Sequence, residues 1–277
     1  MHWEGGCAQE AHNLQQIELL NQRGGRTLSV VDLIEAGTLN VEMAGFLLYA
    51  VLHGASFLTA AGPGGAGKST VLANLLGFLP PGVRIVTVGE AHLRSGQNTR
   101  GGKTCVLAHE IGSGSYYGYI WGAEVRRFVE LMDDSCTVAS CMHADSLEEL
   151  SGILMGPPLG VRPADLGRLD LILFMRMEKR KQTYARRIGL VYEAIEQDQV
   201  THRLLFRWDA DRDLFERQGP SALLARLAGS QGKTDQQVGA GLQDCVAFVQ
   251  YLCARGVRQF EDMRREVVAL ASRPCSQ

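Results

Sequence analysis

The chain has 277 residues, 45% of them hydrophobic and 21% charged, with a formal net charge of −2 at pH 7. This is ordinary globular composition for one large domain or a core with a small appendage, and it contains no internal repeat or low-complexity stretch. A net charge so close to zero excludes a strong global field toward nucleic acid or anionic lipid, so binding either one needs a local patch.

Residues 1–28 are polar and Gly-spotted, with a helix expected around 11–22, and the first 21 residues do not read as a signal peptide. Ser29 caps a short helix over 30–36 that stops at Gly37. Asn40 caps a longer helix over 41–53 that stops at Gly54. Residues 55–60 read as a strand entering a Gly-rich loop. The apolar run over 46–62, interrupted by His53, Gly54 and Ser56, is therefore a buried helix followed by a buried strand, and it is short for a membrane span. A helix over 69–78 stops before Pro80-Pro81-Gly82, and the β-branched stretch 84–88 is a strand. Residues 89–104 read as a polar surface loop. Strands over 105–111 and 116–121 flank a turn at 112–115, residues 123–132 have helical spacing, a strand over 137–142 ends at His143, and a helix covers 147–155. Three more strands are expected over 169–177, 186–195 and 203–208. The composition shifts near 209–219, and 220–227, 235–255 and 259–272 read as helices. Strands alternating with helices imply an α/β core with a mainly parallel sheet. The expected division is an extension over 1–28, a core over 29–210 and a small C-terminal helical region over 211–277.

The seven cysteines lack paired spacing, which argues for buried free thiols in a reducing compartment rather than a disulfide framework or a zinc site. The basic run over 177–187 reads as a solvated hairpin, with nucleic acid or lipid head groups as the other reading.

The segment Gly62-Pro63-Gly64-Gly65-Ala66-Gly67-Lys68-Ser69, followed by Thr70, fits the pattern GxxxxGK plus Ser or Thr. Its glycines let the backbone wrap closely, so that amide N–H groups point inward at phosphates. The helix that starts beside Lys68 aims its positive dipole end at the same place. Lys68 supplies a charge for the β and γ phosphates of ATP, and the Ser69 hydroxyl ligates Mg²⁺. An apolar strand precedes the loop and an apolar helix follows it, which is the context the pattern requires. The loop by itself specifies a nucleotide and leaves the job open.

The stretch from Leu28 to Arg84 and on through Thr87 resembles the entry to the core of the traffic ATPases of type II and type IV secretion, type IV pilus and archaellum assembly. It has a short helix, a Gly-Thr-Leu step at 37–39, a helix, a buried strand, the phosphate loop and an Arg-Ile-Val-Thr strand. Glu90 stands where the family has the second acid of its Asp box. Glu124, Val125 and Arg126 match the family's Walker B segment, with Ala123 in place of its glycine. His143, Ala144, Asp145 and Ser146 resemble its His box, although the Thr-Gly-His that usually precedes that box is absent. Residues 205–228 and the tail resemble the C-terminal part of the archaeal-type branch. With 28 residues before the core, the resemblance implies a member without the family's large N-terminal domain.

The resemblance implies a RecA-like P-loop NTPase core and Mg²⁺-dependent ATP hydrolysis in a ring, a hexamer or a co-assembly with a related ATPase. Such a ring would drive an inner-membrane platform protein from the cytoplasmic side. Glu124 is the expected acid, orienting or deprotonating the attacking water and holding hydrated Mg²⁺. Glu110, which also follows an apolar run, competes for that role. Glu90 is expected to reach toward the γ-phosphate, and His143 toward the same phosphate or a neighbouring loop. Arg84, Arg100 and Arg126 are candidate arginine fingers. Two other readings stay open: a nucleotide-binding regulatory subunit with little hydrolysis, and a DNA-directed RecA-like ATPase, against which the net charge argues.

Overall fold

The computed structural model describes residues 2–21, 24–89, 103–180, 183–195, 202–230 and 232–272. Helix α1 (His2–Glu18) starts earlier and ends earlier than the sequence pattern suggests. Helix α2 (Val30–Glu35) is fixed by a capping box. The Ser29 backbone N–H donates to Asp32 at 2.8 Å, and the Ser29 hydroxyl accepts from the Asp32 N–H. Asn40 caps α3 (Val41–Leu52) by accepting from the Met43 N–H at 2.9 Å. Helix α3 is buried from Met43 to Val51, which is why it reads as apolar on every side.

Strand β1 (Phe57–Ala60) leads through the glycine-rich loop into α4 (Lys68–Leu76). Then come β2 (Arg84–Thr87), β3 (Thr104–Leu107), β4 (Glu110–Ile111), β5 (Tyr119–Ile120), α5 (Ala123–Glu130) and β6 (Cys136–Met142). Next are α6 (Leu147–Met155), α7 (Pro163–Leu166), β7 (Leu171–Arg180), β8 (Thr183–Ala194), β9 (His202–Asp209) and β10 (Leu214–Arg217). The chain then runs through α8 (Ala222–Ser230), α9 (Asp235–Arg255) and α10 (Phe260–Ala271).

Among the described residues these strands form one sheet of order β10-β9-β8-β7-β1-β6-β3-β2. Its central part, β2-β3-β6-β1-β7, is parallel, and β8, β9 and β10 extend it antiparallel. The fold is thus mixed α/β with a mostly parallel central sheet and C-terminal helices. The strand expected over 105–111 is two strands. Ala108 N–H still bonds Ala139 O at 3.0 Å, but the next amide, His109 N–H, turns away to Gly118 O at 2.7 Å. The return of the loop over 112–118, which no local pattern encodes, thus captures the chain and creates the β4–β5 pair.

Alternate residues of the parallel strands feed two cores. Phe57, Cys105, Leu107, Leu171 and Leu173 pack with the helices α1–α4 and α8–α10. Leu58, Val106, Ala108, Ile172 and Phe174 pack with α5, α6 and α7. Strands covered on both faces explain the near-continuous apolar runs of the sequence. The segment over 209–219, expected to divide core from appendage, carries β10, and α8–α10 share their core with α2–α4. Helix α9 crosses α3 so closely that a Cβ on Gly45 would come within 2.5 Å of Val246. Among the described residues, no helix is long and apolar enough to cross a membrane.

Candidate functional site

The carboxyl ends of β1, β3 and β6 converge on one side of the sheet, where open parallel sheets bind their ligands. A cavity of about 690 Å³ opens there, floored by Gly64, Gly65, Gly67, Lys68, Ser69 and Thr70. That volume lies within the roughly 300–1,000 Å³ usual for ligand sites. Gly65 and Gly67 have φ of +83° and +100°, so the loop takes a left-handed path into α4. Helix α4 has no side-chain cap, which leaves its first amides open to an anion. The buried Thr59 hydroxyl donates to Lys68 O at 3.2 Å and fixes the loop's exit.

The first glycine is held from the other strand end. Gly62 N–H donates to Asp145 Oδ1 at 2.8 Å, and Gly62 O accepts from His143 Nδ1 at 2.7 Å. A Cβ on Gly62 would lie 2.0 Å from the Asp145 carboxylate, so only glycine fits this close approach. Asp145 is fixed in turn by Arg176, which donates to its carbonyl at 2.9 Å, and by its own N–H donating to Glu149 at 2.7 Å. His143 donates through Nδ1, because a carbonyl only accepts. Its Nε2 is then free to accept from Lys68 Nζ at 3.3 Å. Lys68 is buried, and among the described residues it has no carboxylate partner.

Glu110 lines the same cavity, with Oε1 3.7 Å from His143 Nε2. The Cys141 thiol lies 4.0 Å from Glu110 Oε2 and donates to His109 O at 3.0 Å, and burial pushes its pKa up to about 12. His109 is buried, with Nε2 unpartnered among the described residues, and burial pushes its pKa down to about 4. Tyr119 stands opposite Glu110 in the β4–β5 pair and lines the cavity with it. Its phenol is pushed up to about 12, first by burial and then by that carboxylate. Arg186 on β8 places its guanidinium against the loop, donating to Gly65 O at 2.8 Å.

The structure therefore brings Gly62–Thr70, Glu110 and His143 together. Glu124 lies elsewhere: it is exposed in the first turn of α5 and is not part of the cavity wall. Arg84 begins β2, at the end of the parallel strands remote from the cavity. Arg126 is exposed on α5, near Gly160. Glu90 and Arg100 lie outside the described residues. The basic run divides: Arg187 is buried against Asp213, against the solvated hairpin expected, whereas Arg186 is exposed and donates to the glycine-rich loop. Tyr119 and Arg186 carry no local sequence signal, because each reaches the site through long-range strand pairing.

No family model matches the chain. An uncharacterised protein of Methanocaldococcus jannaschii is 25% identical over 245 residues, a match that covers 80% of this chain and 90% of that protein. A solved structure of the VirB11 ATPase from the Brucella suis type IV secretion system, in complex with sulphate, matches at 20% identity and a TM-score of 0.39. That alignment covers 58% of this chain and 54% of the other, so the chain spans about half the length of that protein.

Proposed function

We propose that the chain is a Mg²⁺-dependent ATPase with a RecA-like P-loop core. The observation that carries this is Lys68, a buried side chain at the start of α4 on the floor of the cavity, whose side-chain hydrogen-bond partner is the His143 imidazole rather than a carboxylate. Buried charges are ordinarily paired with an opposite charge. An anion on the loop amides supplies the missing one, and the open start of α4 favours the same ligand.

On this reading the loop amides and Lys68 hold the β and γ phosphates, with Lys68 exchanging His143 for phosphate oxygen. Ser69, in the cavity wall beside Lys68, is the side chain that would hold Mg²⁺, which neutralises charge between the phosphates when bound. Glu110 rather than Glu124 is the acid that orients water. It opens β4 just after β3, lines the cavity and sits beside His143, whereas Glu124 is exposed and does not line the cavity. His143, its Nδ1 proton committed to Gly62, holds Nε2 as an acceptor for Lys68, 3.7 Å from the Glu110 carboxylate. The finer reading is a secretion- or pilus-type motor that works as a ring beside a membrane platform protein. It is supported by the resemblance of the loop, strand and His-box motifs.

Calorimetry and turnover test the proposal together. Lys68→Ala abolishes ATP binding. Glu110→Gln retains binding and loses at least about a hundredfold in turnover, the scale of a missing acid–base group. Glu124→Gln hydrolyses ATP at close to the parent rate. Unchanged affinity in Lys68→Ala overturns the phosphate site, and an inactive Glu124→Gln beside an active Glu110→Gln overturns the assignment of the acid. In the same assay across a wide range of protein concentration, a ring gives a rate per subunit that rises with concentration, and a rate that stays flat removes the ring.

A further inference from the structure

Glu110 and Tyr119 are directly opposed residues of the two-residue parallel pair β4–β5. Residues in register on parallel strands point to the same face, so the backbone itself sets the phenol beside the carboxylate. The pair is closed at both ends: His109 N–H donates to Gly118 O at 2.7 Å, and Gly112 N–H donates to Ile120 O at 3.1 Å. Gly118 has φ +74°, and a Cβ there would come 2.6 Å from the His109 ring, so the loop shuts this tightly only with glycine. The Tyr119 ring is steadied by Tyr116, with centroids 5.1 Å apart, and both Tyr119 and Glu110 line the cavity.

We propose that Tyr119 is the positioning residue for Glu110: its hydroxyl donates to the carboxylate and fixes which oxygen faces the water above the phosphate loop. The inference rests on Glu110 being the acid of the proposed ATPase. A carboxylate on a flexible side chain samples several rotamers, and a rate that depends on near-attack geometry falls when it does so. The loop over 112–118 thereby has a reason to return to β4. It delivers a donor to the one carboxylate in the cavity wall among the described residues.

The test compares Tyr119→Phe with the parent protein in steady-state ATPase kinetics with Mg²⁺. The substitution removes one oxygen and keeps the ring and its contact with Tyr116. The expected result is a kcat about tenfold lower, the scale of one hydrogen bond to a charged group, with KM for ATP within about twofold. The acidic limb of the kcat–pH profile moves to higher pH, because a carboxylate deprived of a donor holds its proton more tightly. Tyr116→Phe, on the same loop, leaves all three unchanged. An unaltered kcat in Tyr119→Phe overturns the proposal. So does a fall in kcat that comes with a lower thermal midpoint, a higher KM and an unmoved acidic limb, because that pattern marks a structural tyrosine. A parent protein without turnover, or undiminished turnover in Lys68→Ala, overturns the ATPase reading itself and the inference with it.

Discussion

His109 stands beside Glu110, buried and with one ring nitrogen unpartnered among the described residues. Burial pushes its pKa down to about 4, against roughly 6.5 for an unfolded histidine. The unfolded chain then binds the proton more readily, so this residue's contribution to stability is intact above the unfolded value and shrinks as pH falls toward 4. His202 and His53, also lowered by burial, add slope in the same direction. Urea midpoints at two pH values bracketing that window should therefore show the parent losing stability at the acidic one. His109→Phe should lose less, and an equal loss in both would show that His109 does not titrate as described. At this scale the glycine-rich loop between β1 and α4 was legible in the sequence, because strand, glycines, Lys68, Ser69 and helix all constrain one another. The carboxylate at the cavity was not. Glu110 and Glu124 both follow apolar residues, and only the pairing of β3 with β6, which adjoins β1, puts Glu110 at the cavity. Glu124 follows Gly122, whose φ of +64° turns the chain away into α5.

Two helices announced themselves through their caps, Ser29 and Asn40; Ser146 and Thr234 also accept from the backbone of the first turn, and the expected helices over 147–155 and 235–255 have the observed bounds. The antiparallel extension was legible as strands but not as an arrangement, since partner and direction are set by contacts distant in sequence. Short β10 was missed because Leu214–Arg217 is two apolar residues followed by two charged ones, without strand alternation, and lies in a stretch that reads as a linker. What secures this edge is Asp213, in the β9–β10 turn. It accepts from Arg187 at 2.9 Å, Arg180 at 2.7 Å and the Trp208 indole at 2.8 Å. The Arg187 guanidinium, with Arg180 and Trp208, holds the Asp213 carboxyl well below the usual carboxylate range. Asp213 is partly exposed, so solvent screens the cluster, but Arg187 is not exposed. Asp213 has φ +52°, which asparagine also tolerates, so Asp213→Asn should cost about 1–3 kcal/mol at neutral pH through the stranded guanidinium. A depressed folded-state pKa gives stability that is present above the ordinary carboxylate pKa and lost below it. The gap between parent and variant in thermal midpoint should therefore narrow as pH falls below about 4. A gap independent of pH would assign the cost to packing.

Across the whole molecule, the C-terminal helices are part of the site's support. The cavity wall opposite the phosphate loop includes Arg26, Thr27 and Leu28. Leu28 pairs with Gln259 across an isolated bridge, the Ser29 hydroxyl donates to Val257 O at 3.1 Å, and Arg26 donates to Arg258 O at 2.9 Å. Asn74 of α4 donates to Leu28 O at 2.7 Å, which ties the same strip to the phosphate-loop helix. Helix α10 is held beneath by Arg264, buried and ion-paired with Glu10 at 2.8 Å. The sequence separated these helices from the core by composition, and composition carries no information about which wall they brace. The strip over 26–29 touches both the cavity and the start of α10, so anything that binds the cavity and steadies the strip also opposes local opening of α10, and by the same free energy. Deuterium uptake at the amides of residues 257–263 should slow when saturating Mg²⁺-ATP is added. Uptake unchanged by nucleotide would show that the strip moves independently of the cavity. Occupancy at one end of the sheet is thus expressed as an exchange rate in a helix near the far end of the chain.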